Sequence, residues 1–142
     1  MKIREGFVSN SSSTSFIVIG KTGNLNKVTS NDDKIYVDHD TGYKFDWDHT
    51  ITDDPKGLIA FAWMQAQYQK KPEWVEMIKE VVFETTGCEL ICSIDITRDG
   101  YISCIDHQSA EEDKMFKSKD ILKSFIFDKD SYVEMSNDNL EE

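Results

Sequence analysis

The chain has 142 residues, of which 16 are Lys or Arg and 27 are Asp or Glu, so its formal charge is −11. That length suits one domain with one core, and a hydrophobic share of 39 % with 11 % aromatics excludes a disordered acidic chain. No apolar run approaches the ~18 residues that would span a bilayer. The apolar stretch 16–19 is too short for a signal-peptide core and follows a serine tract. The expectation is a cytoplasmic single domain over 1–142, with a Ser-rich lead-in over 1–14 and an acidic tail over 136–142.

The charge is uneven. Residues 1–30 carry four basic side chains against one acidic, whereas residues 31–60 carry three against eight. Nucleic-acid binding needs phosphates neutralised by Lys and Arg, and the chain has only Arg4 and Arg98 as arginines. Direct nucleic-acid binding and anionic membranes are therefore disfavoured, and a basic protein partner is permitted. The three cysteines, Cys88, Cys92 and Cys104, form no C-x-x-C pair and read as small buried hydrophobes.

In chain order, Ser9 to Ser15 leads into Phe16-Ile17-Val18-Ile19-Gly20, a short β-branched run that reads as a buried strand. Residues 21–31 read as a loop. Residues 34–48 fit a hairpin turning at Asp40-Thr41-Gly42. Its register sets Val37 against Phe45 and Ile35 against Trp47 on a core face. The outer face pairs Lys34 with Asp48, Tyr36 with Asp46 and Asp38 with Lys44.

Asp54-Pro55 reads as an N-cap and first helical position. Leu58, Ile59, Phe61, Ala62, Trp63 and Ala66 then make a broad apolar surface. Lys70-Lys71-Pro72 breaks the helix, and a second one buries Trp74, Met77, Ile78, Val81 and Thr85 before a Gly87 C-cap. Residues 88–107 read as a second hairpin, turning at Arg98-Asp99-Gly100 with Leu90, Cys92, Ile94 and Ile96 inward. Ser109 and Glu112 form a capping box for a short helix to Lys117. Asp120 is the expected cap of another helix, with Leu122, Phe125 and Ile126 on one side. Residues 132–135 read as the last strand. This order predicts an α+β fold, an antiparallel sheet built from hairpins with a central helical pair packed on one face.

The segment Arg4-Glu5-Gly6-Phe7-Val8-Ser9-Asn10-Ser11-Ser12-Ser13-Thr14-Ser15-Phe16 resembles the R-x-G-F-V-S-N-S-S-S-S-S-F opening of small proteins from large tailed bacteriophages and some bacteria. Ser131-Tyr132-Val133 and Asn137-Asp138-Asn139 resemble their usual ending. The resemblance covers about the first 17 and last 12 residues. It implies a phage-type protein of the host cytoplasm and no particular activity.

Three groups of residues carry candidate chemistry. Arg4 with Ser11, Ser12 and Ser13 offers hydroxyls, amides and a cation to a phosphate, or an acceptor for phosphorylation. The alternative is a turn segment whose hydroxyls satisfy nearby backbone. Asp46, Asp48 and His49 offer oxygen and imidazole ligands to a divalent cation. The alternative is a solvated hairpin face. Tyr36, Asp38, Asp46 and Asp48 form an acidic surface with an aromatic residue, suited to a protein interface. His107 near Cys92 lacks the motif of a catalytic pair.

Two functions follow. The first is a non-enzymatic interaction factor, with no cofactor, whose acidic hairpin meets a basic host or phage protein. The second is a small-ligand, nucleotide-binding or metal-dependent enzyme domain, with the serine loop on phosphate and the Asp/His stretch on a divalent cation.

Overall fold

The structure, a computed structural model, describes residues 13–38, 50–96 and 113–137. Its elements are β1 (Ser13–Val18), β2 (Lys34–Val37), β3 (Thr50–Thr52), α1 (Pro55–Tyr68), α2 (Pro72–Thr86), β4 (Glu89–Cys92), a 3₁₀ turn (Lys114–Phe116), α3 (Lys119–Phe127) and β5 (Tyr132–Asn137). The fold is α+β, with an antiparallel three-stranded sheet in the order β1-β5-β3 and a separate β2-β4 pair.

The local rules that start and stop the helices hold. Asp54 caps α1, its Oδ2 accepting from the Gly57 amide at 3.0 Å, with Pro55 at the first helical position. The helix is buried nearly all round from Leu58 to Ala66, as expected of a helix with no polar face in that stretch. It ends in a Schellman motif: the Lys71 amide donates to the Ala66 carbonyl at 2.9 Å and the Lys70 amide to that of Gln67 at 3.2 Å. Lys70 takes the left-handed position, φ 60°, usually given to glycine. Pro72 restarts the chain as α2, which stops at left-handed Gly87, φ 75°. At α3 the cap is Ser118, whose Oγ accepts from the Ile121 amide at 3.0 Å. The expected cap, Asp120, sits instead in the first turn, where its charge suits the helix dipole.

The three helices pack on one another, and Leu58, Phe61, Met64, Ile78, Leu122 and Phe125 are buried between them and the strands. Phe61 and Phe125 meet at 6.3 Å between ring centroids, and Trp74 stacks on Phe116 at 4.2 Å.

The described strands include one pairing that was not expected. Among the described residues β2 pairs with β4, and the pair is parallel, Ile35 opposite Leu90 and Val37 opposite Cys92. Parallel strands need a long crossover, and β3, α1 and α2 all lie within this one. The alternation that marks Ile35 and Val37 as core is right, and both are fully buried. Alternation sets the buried face and leaves the neighbouring strand open. Residues 39–49, with the expected turn, lie outside the described residues, as does the turn of the second hairpin. That hairpin's first strand ends early, at Cys92. Ile94 and Ile96 are buried as expected but lie outside the strand.

In the other sheet β5 is central. Ser13 pairs with Asn137 and Val18 with Tyr132, while Ile51 lies opposite Glu134. The strand thus starts at Ser13, inside the serine tract, and β5 continues through Ser136 and Asn137, which the tail was expected to include. Phe16 and Ile51 flank Glu134 on the exposed face, and Val133 is buried behind it.

After β1 the chain is tied to the turn after α3. The buried Asp128 carboxylate accepts from the Thr22 hydroxyl at 3.0 Å, the Gly23 amide at 3.0 Å and the Asp130 amide at 2.9 Å. The Gly20 amide donates to Ser131 Oγ at 2.7 Å, and that hydroxyl donates to the Ser124 carbonyl at 2.7 Å. A Cβ on Gly20 would sit 2.2 Å from Asp128 Oδ1, so only glycine fits this approach. The Asp130 amide, then those of Gly23 and the Thr22 hydroxyl, hold the Asp128 carboxyl below the usual carboxylate range, against the opposing effect of burial.

Candidate functional site

The described part of the expected interaction surface is the outer face of β2. Tyr36 is 44 % exposed there, set by the period-two alternation that buries its neighbours Ile35 and Val37. Asp38 follows the strand and is half-buried. Asp46, Asp48 and His49 lie outside the described residues, as do Arg4, Ser11 and Ser12. Ser13 is the first residue of β1. Tyr68, at the end of α1, is half-buried against the core.

The parallel pairing puts a partner beside Tyr36. Tyr36 lies opposite Ile91, and Lys34 lies opposite Glu89. Glu89 is therefore Tyr36's diagonal neighbour on the outer face. Glu89 also lines a concavity of about 510 Å³ together with Glu80, Phe83, Glu84, Leu90 and Lys79. Phe83 is 59 % exposed in this wall. Its position on α2 explains why. Ile78, Val81 and Val82 face the core, and Phe83 falls off that face among glutamates. Such an aromatic residue on the polar side of an amphipathic helix was a visible signal, and the sequence reading passed over it.

The charges around Phe83 are partly compensated. Lys119 on α3 reaches Glu84 at 2.8 Å and Glu80 at 3.5 Å. Its hydrogen bond to Glu84, with the charges of both glutamates, raises the Lys119 pKa. All three side chains are exposed, so this bridge adds little to stability. Lys79 is held by Glu76 at 3.4 Å and lies 6.0 Å over the Trp63 ring. Among the described residues Glu89 has no ion-pair partner. The face from Tyr36 through Glu89 to Phe83 thus offers aromatic surface ringed by carboxylates.

Little nucleophilic chemistry is available among the described residues. Cys88 is buried. Cys92 is half-buried, and burial pushes its thiol up to about 12; the nearby Asp38 charge adds to this, while the Ile94 backbone and Lys79 oppose it. A thiol so protonated is a poor nucleophile. Among the described residues no three His, Cys, Asp or Glu side chains converge as a metal site. Among them also, no helix is long and apolar enough to cross a membrane.

Comparison with known proteins finds no matching family model, no matching curated protein and no matching solved structure.

Proposed function

We propose that this chain is a phage-type, cytoplasmic, non-enzymatic interaction factor whose acidic face meets a basic host or phage protein. The observation that supports this reading is the exposed Phe83 in a concavity walled by Glu80, Glu84 and Glu89. An aromatic anchor supplies desolvated contact area, and the surrounding carboxylates select a basic partner and speed its encounter. The interaction surface expected at Tyr36, Asp38, Asp46 and Asp48 is extended along β4 to α2, with Glu89 as the link.

The test is a tagged pull-down from host lysate at low and high salt. A stoichiometric basic protein, released by salt and lost with Phe83→Ala or Glu89→Lys, supports the reading. Retention of that partner by both variants refutes the placement, and no partner at low salt refutes the function.

A further inference from the structure

On the opposite chemical sign, the segment after β1 and helix α3 enclose a groove. Its wider part has a volume of about 420 Å³, with Ile19 and Ile121 as apolar walls and Lys21, Lys114 and Lys117 at its rim beside Asp120. A second concavity of about 340 Å³ shares Lys21 and Asp120 and adds Lys123. Four lysines thus gather at one groove on a chain of net charge −11. The second concavity also touches Asp128, whose carboxylate is already engaged by Thr22, Gly23 and Asp130. Asp120 is the remaining acid.

The charge of these four lysines is not cancelled by an ion pair, as for most lysines among the described residues. Lys79 and Lys119 have glutamates within 4 Å. Among the described residues none of Lys21, Lys114, Lys117 or Lys123 has such a partner. Gathering unpaired like charges costs repulsion, which a bound anion relieves. The volume lies in the range of small-molecule sites, and those combine apolar walls with a few oriented polar groups. A backbone of nucleic acid needs an extended basic stripe, whereas this feature is a local concavity with an apolar floor.

We propose that the groove between residues 19–25 and α3 binds a small organic anion with an apolar body, a carboxylate on a medium-length alkyl chain or a single ring. The alkyl or ring portion lies between Ile19 and Ile121. The carboxylate sits among the Lys21, Lys114 and Lys117 ammonium groups, with Lys21 placed between the two concavities. This site is separate from the Phe83 face and stands or falls independently of it.

The test uses octanoate as the probe, titrated into the full chain labelled with ¹⁵N and followed by amide shifts, with octyl glucoside as the uncharged control. The expected result is saturable shifts at Ile19, Lys21, Lys117 and Ile121, weakened by salt and absent with octyl glucoside. The double variant Lys21→Gln, Lys117→Gln, whose side chains are at the surface, is expected to lose affinity by about tenfold or more. The variant's amide spectrum reports whether it is folded. Three results each overturn the proposal: no saturable shifts in the groove, equal binding of octyl glucoside, or unchanged affinity in the folded double variant. Should that variant not fold, the wild-type comparison of octanoate with octyl glucoside decides the matter alone.

Discussion

Gln67 holds the backbone on both sides of residue 95 as a neighbouring strand would. Its Nε2 donates to the Ile94 carbonyl at 2.7 Å, and its Oε1 accepts from the Ile96 amide at 3.0 Å. Trp63 Nε1 donates to the same Ile94 carbonyl at 3.0 Å. The Ile94 carbonyl and the Ile96 amide are thus satisfied by side chains of α1, which lets this stretch be buried with no strand partner among the described residues. Gln67→Leu leaves the Ile96 amide without its acceptor and is expected to cost about 1–3 kcal/mol. Gln67→Glu keeps an acceptor and should cost less. Urea unfolding of the two variants checks the order.

Gly20→Ala tests the contact between the loop after β1 and the turn after α3. The added carbon meets the Asp128 carboxylate head on, and the carboxylate is held by three groups that cannot all follow it. A loss of about 1–3 kcal/mol or more is expected, read as a lower urea midpoint with an unchanged slope.

Asp128 also makes stability depend on acid. Its carboxyl is held below its ordinary value in the folded chain, so the folded state favours the ionised form. That contribution is present above the unfolded pKa of about 3.9 and is lost as pH falls through the folded value. Asp128→Asn should therefore be less stable than the parent at pH 7. The gap should narrow below about pH 4. Unfolding midpoints of both chains across this range are the measurement, and a gap that stays constant with pH contradicts it.

Lys70→Gly should stabilise the protein. Lys70 occupies the left-handed position of the Schellman motif, and a side chain there costs about 1 kcal/mol relative to glycine. Thermal unfolding should show a higher midpoint, reduced in part by the added freedom of glycine in the unfolded chain.

Cys92 should resist alkylation. With its thiol pushed up to about 12 by burial, it should remain unmodified by iodoacetamide at pH 8 in the folded chain and react fully in urea. Peptide masses give the extent at each cysteine.

What was legible in the sequence was local. Asp54-Pro55, Lys70-Lys71-Pro72 and Gly87 mark helix ends through backbone chemistry that acts within a few residues, and the helices begin and end there. The buried faces at Ile35, Val37, Leu90, Leu122 and Phe125 follow from period alone. Pairing partners were not legible, because a strand of alternating residues accepts a neighbour from anywhere in the chain. The parallel partner of β2 and the central place of β5 are of this kind. So is the support of the backbone after β4 by Gln67, a helical residue that nothing in the sequence places beside Ile94. Of the candidate surface, Tyr36 was found by alternation. Phe83 and the lysine groove were missed because the first needed a closer look at one helix face and the second joins residues that only the folded chain brings together.

The central position of β5 constrains how the molecule is made. Among the described residues β1 and β3 are not paired with each other; each is paired with β5 alone. During synthesis both edge strands leave the ribosome long before their shared partner, so neither has its sheet contacts until residues 132–137 are out. The helices, whose contacts are mostly closer in sequence, can form earlier. Until then Ile17, which packs against the core in the folded chain, is exposed, and Phe16 and Ile51, on the outer face of the finished sheet, have no strand beside them. Serines and threonines lie around them, Ser13 to Ser15 in β1 and Thr50 and Thr52 in β3. They make those waiting segments poorer seeds for aggregation than unbroken apolar strands would be.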